Sequence, residues 1–106
     1  MEQTAPYSRI LASISNGIIA TDAGGNINYI NPKAARILDL DPVNITSLDI
    51  RQLFPDSGRF INECLQTGNI RMGQYVVRGN QRLVIDIAPI RIETNIEGVI
   101  ATLHQL

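Results

Sequence analysis

The sequence is poor in the residues that build disulfides, zinc clusters and haem sites. Its 106 residues include one cysteine, Cys64, one histidine, His104, and no tryptophan. A single cysteine excludes an internal disulfide and a cysteine-based zinc cluster. A single histidine leaves one imidazole for a haem or another metal. We therefore expect no metal site.

Long runs of one residue type are also missing. No apolar run reaches the roughly 18 residues of a transmembrane helix, and no basic segment precedes an apolar one as in a secretory leader. Nine Lys and Arg against ten Asp and Glu give a net charge of −1, with the basic residues scattered. This balance argues against direct contact with nucleic acid or an acidic membrane. One cytoplasmic domain is the simplest expectation for this length.

The most informative stretch begins as two short strands joined by a tight turn. Residues 17–22 are apolar and β-prone, and residues 27–30 alternate in the same way. Between them, residues 23–26 supply two glycines and an asparagine, which suit a hairpin turn. The pattern predicts an antiparallel pair of strands.

A helix is predicted to follow the second strand at once. The Asn31 side chain can accept from the free amides of a first helical turn, and Pro32 lacks an N–H that such a turn would leave unpaired. The apolar residues Ala34, Ile37 and Leu38 then fall at helical spacing. One face of this helix is expected to be buried.

This opening resembles that of PAS domains, which carry the pattern Thr-Asp-x-x-Gly-x-Ile-x-Tyr-x-Asn-x-x-Ala. The matching residues here are Asp22, Gly25, Tyr29, Asn31, Pro32, Ala34 and Ala35. Looser similarity continues at residues 88–91 and 98–100. The resemblance implies an α+β PAS fold, in which a five-stranded antiparallel sheet carries helices on one face. It also implies a flanking N-terminal helix in residues 1–15 and the PAS domain itself in residues 16–106.

Turn and breaker residues divide the rest of the chain into helices and strands. A short helix is predicted for residues 48–54, and a longer one from a cap at Asp56 or Ser57 to Thr67, ending at Gly68. Three strands are predicted for residues 72–78, 81–92 and 99–106, with a loop over residues 93–98.

The N-terminal helix is predicted to be amphipathic. Its stripe has helical spacing and consists of Tyr7, Ile10, Leu11 and Ile14. The stripe can pack on its own sheet. It can also pair with a second subunit, as flanking helices of PAS domains often do, and the sequence leaves both arrangements open.

A cavity inside the fold is the candidate ligand site. Strand alternation puts Leu83, Ile85 and Ile87 on one face, and the resemblance makes that face the lining of the PAS cavity. The other expected lining residues are Leu53, Phe54, Ile61, Cys64 and Leu103. Because no polar groups converge there, a filled core is favoured over a small apolar ligand.

The resemblance argues against flavin and haem as cofactors. The positions at which flavin-holding relatives carry amide side chains align with Leu83 and Leu103, which are aliphatic, and Cys64 lies one helix later than the reactive cysteine of light-sensing relatives. Haem-binding relatives carry their histidine on the long helix, whereas His104 falls on the last strand and faces outward. Cys64 is expected in the core.

The sequence contains no set of residues that is typical of a catalytic site. The histidine and the cysteine lie on different predicted elements, and the paired glycines Gly24 and Gly25 lack the rest of a phosphate loop. Asp86, in mid-strand, is expected to face away from the cavity, toward Arg78, Arg91 or a dimer partner.

The resemblance implies the sensory or dimerising input of a bacterial signalling protein. The ending over residues 98–104 is similar to PAS segments that precede the output domains of sigma-54-dependent activators, including regulators of propionate catabolism and of aromatic amino-acid genes. A histidine-kinase sensor and a ligand-free interaction module are the alternatives. The partners expected are a second copy, a small apolar ligand and a downstream output domain of the same chain. A population shift would carry the signal.

Overall fold

In a computed structural model, which describes residues 16–45 and 48–106, one five-stranded sheet carries short helices on one side. The strand order is β2-β1-β5-β4-β3, and every neighbouring pair is antiparallel. The strands are β1 Gly17–Thr21, β2 Ile27–Ile30, β3 Arg71–Arg78, β4 Gln81–Ile92 and β5 Asn95–Gln105. The helices are α1 Pro32–Leu38, α2 Ile50–Leu53 and α3 Gly58–Thr67, with 3₁₀ turns at Pro42–Asn44 and Pro55–Ser57. The α+β prediction is confirmed.

The turn between β1 and β2 is organised by Asp22. One of its carboxylate oxygens accepts from the N–H groups of Gly24 at 2.9 Å and Asn26 at 3.0 Å. These backbone hydrogen bonds, that from Asn26 first, lower the pKa of the Asp22 carboxyl, because they stabilise its charged form. The hairpin is found where the sequence predicts it.

Asn31 connects β1 to the start of α1. Its side-chain oxygen accepts from Ala34 N–H at 2.8 Å, which caps the helix, and from Ile18 N–H at 2.9 Å. Its amide nitrogen donates to the Asn16 carbonyl at 3.0 Å. The predicted cap is confirmed, and the same side chain also holds the sheet against the helix.

The second helix is shorter than the sequence predicts. The predicted range of 48–54 is too long, because the helix covers only Ile50–Leu53 and the Leu48 carbonyl accepts from the Ile27 N–H at 2.8 Å instead. The helix begins after Asp49, whose side chain accepts from Arg51 N–H at 2.8 Å. Gln52 bonds back to the Asp49 N–H at 3.3 Å and completes a capping box.

The third helix ends as predicted but starts differently. Ser57 occupies the N-cap position, yet neither it nor Asp56 caps the helix with a side-chain hydrogen bond. Instead a 3₁₀ turn runs directly into the helix, and the Gly58 N–H donates to the Pro55 carbonyl. Gly68 ends the helix with φ of 79°, in the left-handed region that glycine tolerates.

The predicted loop over residues 93–98 is wrong, because β4 and β5 form one long hairpin. Only Glu93 and Thr94 separate the strands, and Ile92 already pairs with Asn95. Gly98 is a strand residue here. A Cβ at this position would overlap the Thr21 carbonyl oxygen, so the glycine permits close approach of β1 rather than a turn.

Candidate functional site

All eight predicted lining residues lie together between the sheet and the helices. β4 contributes Leu83, Ile85 and Ile87 and β5 contributes Leu103, while Leu53, Phe54, Ile61 and Cys64 come from the helical side. Each is at most 8% exposed, and all belong to one hydrophobic cluster. The inward alternation predicted for β4 is confirmed. A ligand-binding role for the cluster stays a prediction.

The chemistry of this interior is almost wholly apolar. The lining offers aliphatic groups, one phenyl ring and one thiol. Among the described residues, no buried side-chain nitrogen or oxygen lacks a hydrogen-bond partner. Because no unpaired polar group is available to a ligand, the cluster could distinguish one ligand from another mainly by size and shape.

Cys64 is a buried thiol in this cluster. It is fully buried, and desolvation raises its pKa, while the positive charge of Arg91 acts in the opposite direction. The thiol is therefore held in its neutral form, which is a poor nucleophile. The expected core role is in keeping with this environment.

His104 and Asp86 form a polar pair on the other face of the sheet. His104 Nε2 lies 3.2 Å from one Asp86 carboxylate oxygen, and the other oxygen accepts from Gly73 N–H at 2.8 Å. The expectation of an arginine partner for Asp86 is wrong, because the β4–β5 register brings His104 to a position diagonal to it. The side chains are 39% and 22% exposed, so His104 is partly open to solvent.

Arg51 joins three parts of the chain. Its guanidinium makes a bidentate contact with Asp49 at 2.7 and 2.8 Å, and donates to the Asn62 side chain and to the Gly24 carbonyl, both at 2.6 Å. The side-chain hydrogen bonds lower the pKa of the Asp49 carboxyl and raise that of Arg51. The Asp49-x-x-Gln52 spacing is typical of a capping box. No sequence pattern predicts the tertiary contacts of Arg51.

A shallow depression lies on the surface beside α1, away from the cluster. It has a volume of about 350 Å³ and is open to solvent. Its lining is formed by Pro32, Ala35, Arg36, Asp39, Leu40 and Pro42. None of the predicted lining residues belongs to it, so it is a separate feature of the surface.

The outer face of the sheet, on the side away from the helices, carries an apolar stripe. It consists of the half-buried side chains Ala20, Val84, Ala88 and Ile100. Ile100 pairs with both Ala20 and Ala88, so the stripe crosses three adjacent strands. We call it the outer-face stripe.

The predicted dimer residues lie outside the described part of the chain. These are Tyr7, Ile10, Leu11 and Ile14. In the described part, no helix has the length and apolar character needed to cross a membrane, and no cluster of three or more metal-binding side chains is found.

The structure thus consists of a small antiparallel sheet with helices on one face and an apolar interior. The family model described as the PAS fold matches residues 5–106. The chain belongs to the PAS family. PAS domains are sensory modules, generally without catalytic activity, that often dimerise and occur in multidomain chains. No curated protein matches the chain.

Solved structures share this fold at low sequence identity. A sensory box sensor histidine kinase from Vibrio cholerae is 16% identical, covers 99% of this chain and 93% of its own, and has a TM-score of 0.68. The PAS domain of nitrogen regulation protein NR(II) from Vibrio parahaemolyticus is 19% identical over 94% and 97%, with a TM-score of 0.69. A chain of the E. coli DhaR(N)–DhaL complex is 25% identical over 99% of this chain and 36% of that one, with a TM-score of 0.72.

Proposed function

We propose that this PAS domain is the dimerising regulatory input of a cytoplasmic bacterial signalling protein, in particular a sigma-54-dependent transcriptional regulator. The observation that carries the proposal is the outer-face stripe. Apolar side chains such as Val84 and Ile100 are half-buried on the face that no helix of the described chain covers. An apolar surface of this kind is suited to a second subunit and to its flanking helix.

The interior supports a relay role for the domain. The eight-residue cluster is apolar and its polar neighbours are satisfied, so a filled core needs no cofactor to be stable. The second candidate is a sensor for a small apolar ligand held by the same eight residues. The apolar character of the cluster favours that ligand class over a flavin or a haem.

The route out of the domain is β5. This strand pairs with β1 on one side and with β4 on the other, and Leu103 faces the cluster while His104 faces outward. A change of packing on either face therefore displaces the strand that leads to the C-terminal end of the chain. The mechanism is a population shift between two packings of sheet and flanking helix.

The sigma-54 assignment is supported by the ending over residues 98–104, which is similar to PAS segments that precede the output domains of such activators. The gene sequence downstream distinguishes the alternatives: a Walker motif followed by a helix-turn-helix supports the activator, and a His-bearing dimerisation helix supports the kinase.

The dimer proposal predicts that a charge in the outer-face stripe dissociates the domain. Ile100→Glu places a carboxylate at the centre of the stripe, where pairing would have to desolvate it, and we expect the dimer Kd to rise at least about tenfold. Ile10→Asp tests the flanking helix in the same way. Sedimentation velocity over a dilution series gives the Kd, and circular dichroism melts check folding.

Val43→Glu is the matched control for these two variants. Val43 is 80% exposed and lies in the 3₁₀ turn Pro42–Asn44, outside the outer-face stripe. It should leave the Kd unchanged. A folded Ile100→Glu protein and a folded Ile10→Asp protein that both keep the wild-type Kd would contradict the proposed dimer.

A further inference from the structure

The free edge of β3 offers backbone groups for an additional strand. Within residues 16–45 and 48–106, β3 pairs with β4 alone. A two-residue turn joins these strands, so its flanking residues Arg78 and Gln81 form the first hydrogen-bonded pair. Because this pairing alternates, the N–H and C=O groups of Tyr75 and Val77 point to the open edge.

Exposed apolar side chains are concentrated on the same strand. Tyr75 is 59% exposed and Val77 is 58% exposed. With Ile70 and Met72, β3 and the residue before it hold four of the seven large hydrophobic residues that are exposed in the described chain. Single exposed apolar residues are ordinary, but a concentration on one strand marks an interaction surface.

The edge is positively charged. Arg71 and Arg78 lie at the two ends of β3, and Arg82 pairs with Val77 across the hairpin. In the described chain none of these three arginines makes an ion pair, although Arg78 donates a hydrogen bond to the Leu38 carbonyl at 3.3 Å. Arg71 lies 3.9 Å from the ring centre of Phe60. The nearby Asp86 is already bonded to Gly73 and His104.

We propose that the edge of β3 binds an extended acidic segment of a partner protein, which adds a sixth strand to the sheet. Main-chain hydrogen bonds to Tyr75 and Val77 would supply the pairing, and carboxylates at the ends of the segment would meet the arginines. A second copy of β3 is a poor occupant, because it would bring the same arginines against one another. The bulge at Gly73, with φ of 70°, limits docking to residues 74–78.

A peptide titration followed by NMR tests this proposal on the 106-residue chain. The probe is a synthetic peptide of alternating valine and threonine with two glutamates at each end. We expect amide shifts concentrated in residues 74–78, and at least about tenfold weaker binding for a peptide with lysine ends or with prolines at alternate positions. Half-molar salt should weaken the binding of the acidic peptide.

Variants at one position separate the backbone from the side chain. Val77→Pro removes the outward N–H but no ladder hydrogen bond, and we expect it to weaken binding at least about tenfold. Val77→Thr keeps the N–H and should bind within about twofold of wild type. Equal binding of the acidic and lysine peptides, or shifts mapped away from β3, would overturn the proposal.

Discussion

Replacing Asn31 by alanine should destabilise the domain by about 3 kcal/mol and lower Tm by about 12 °C. Asn31 is fully buried, and its side chain bonds the N–H groups of Ile18 and Ala34 as well as the Asn16 carbonyl. Alanine would leave the buried N–H groups of Ile18 and Ala34 without an acceptor and would remove the helix cap. The cost exceeds that of an ordinary cap, because β1 loses a partner at the same time.

The matched control for this prediction is Asn28→Ala. Asn28 has the same side chain, lies three positions earlier in β2 and is exposed. Its removal should change Tm by less than about 2 °C. Thermal melts by circular dichroism provide both values. If Asn31→Ala melts within about 2 °C of wild type, Asn31 does not join β1 to α1 as described.

Replacing Gly98 by alanine should lower the free energy of unfolding by at least about 3 kcal/mol, which is enough to unfold a domain of marginal stability. Gly98 is buried in β5, and a Cβ there would overlap the backbone carbonyl of Thr21. A flexible side chain could move aside, but backbone in the middle of the sheet cannot. The Thr21 side chain also accepts from Val99 N–H at 3.1 Å, so a shift of β1 would break this bond too.

Gly24→Ala is the control for the Gly98 prediction. Gly24 is exposed in the β1–β2 turn, and a Cβ there would lie 3.3 Å from the end of the Asn26 side chain, which can rotate away. We expect a change of less than about 1 kcal/mol. Urea unfolding of both variants gives the comparison. Equal stability of the two variants would mean that β1 and β5 do not approach closely at Gly98.

Local chemistry determines the parts of the fold that sequence predicts well. The Asp22 turn and the Asn31 cap need only a few neighbouring residues, and each is found where it is expected. The inward face of β4 follows from simple alternation, because one side of the sheet is buried. The predicted lining residues come together for the same reason.

The predictions that failed depend on contacts distant in sequence. Gly98 looks like a loop residue until β1 is placed beside it. Arginines lie near Asp86 in the sequence, but the register of β4 and β5 makes His104 its side-chain partner. Arg51 reaches Gly24 across 27 positions, and no local pattern encodes such a contact.

Native mass spectrometry of the freshly purified domain, with an absorbance spectrum of the same sample, tests the central claim most directly. The domain is proposed to dimerise and to hold no flavin or haem in its apolar interior. We therefore expect a dimer at twice the protein mass of 11.7 kDa per chain and no visible absorbance band. A monomer that carries a retained chromophore would contradict both expectations.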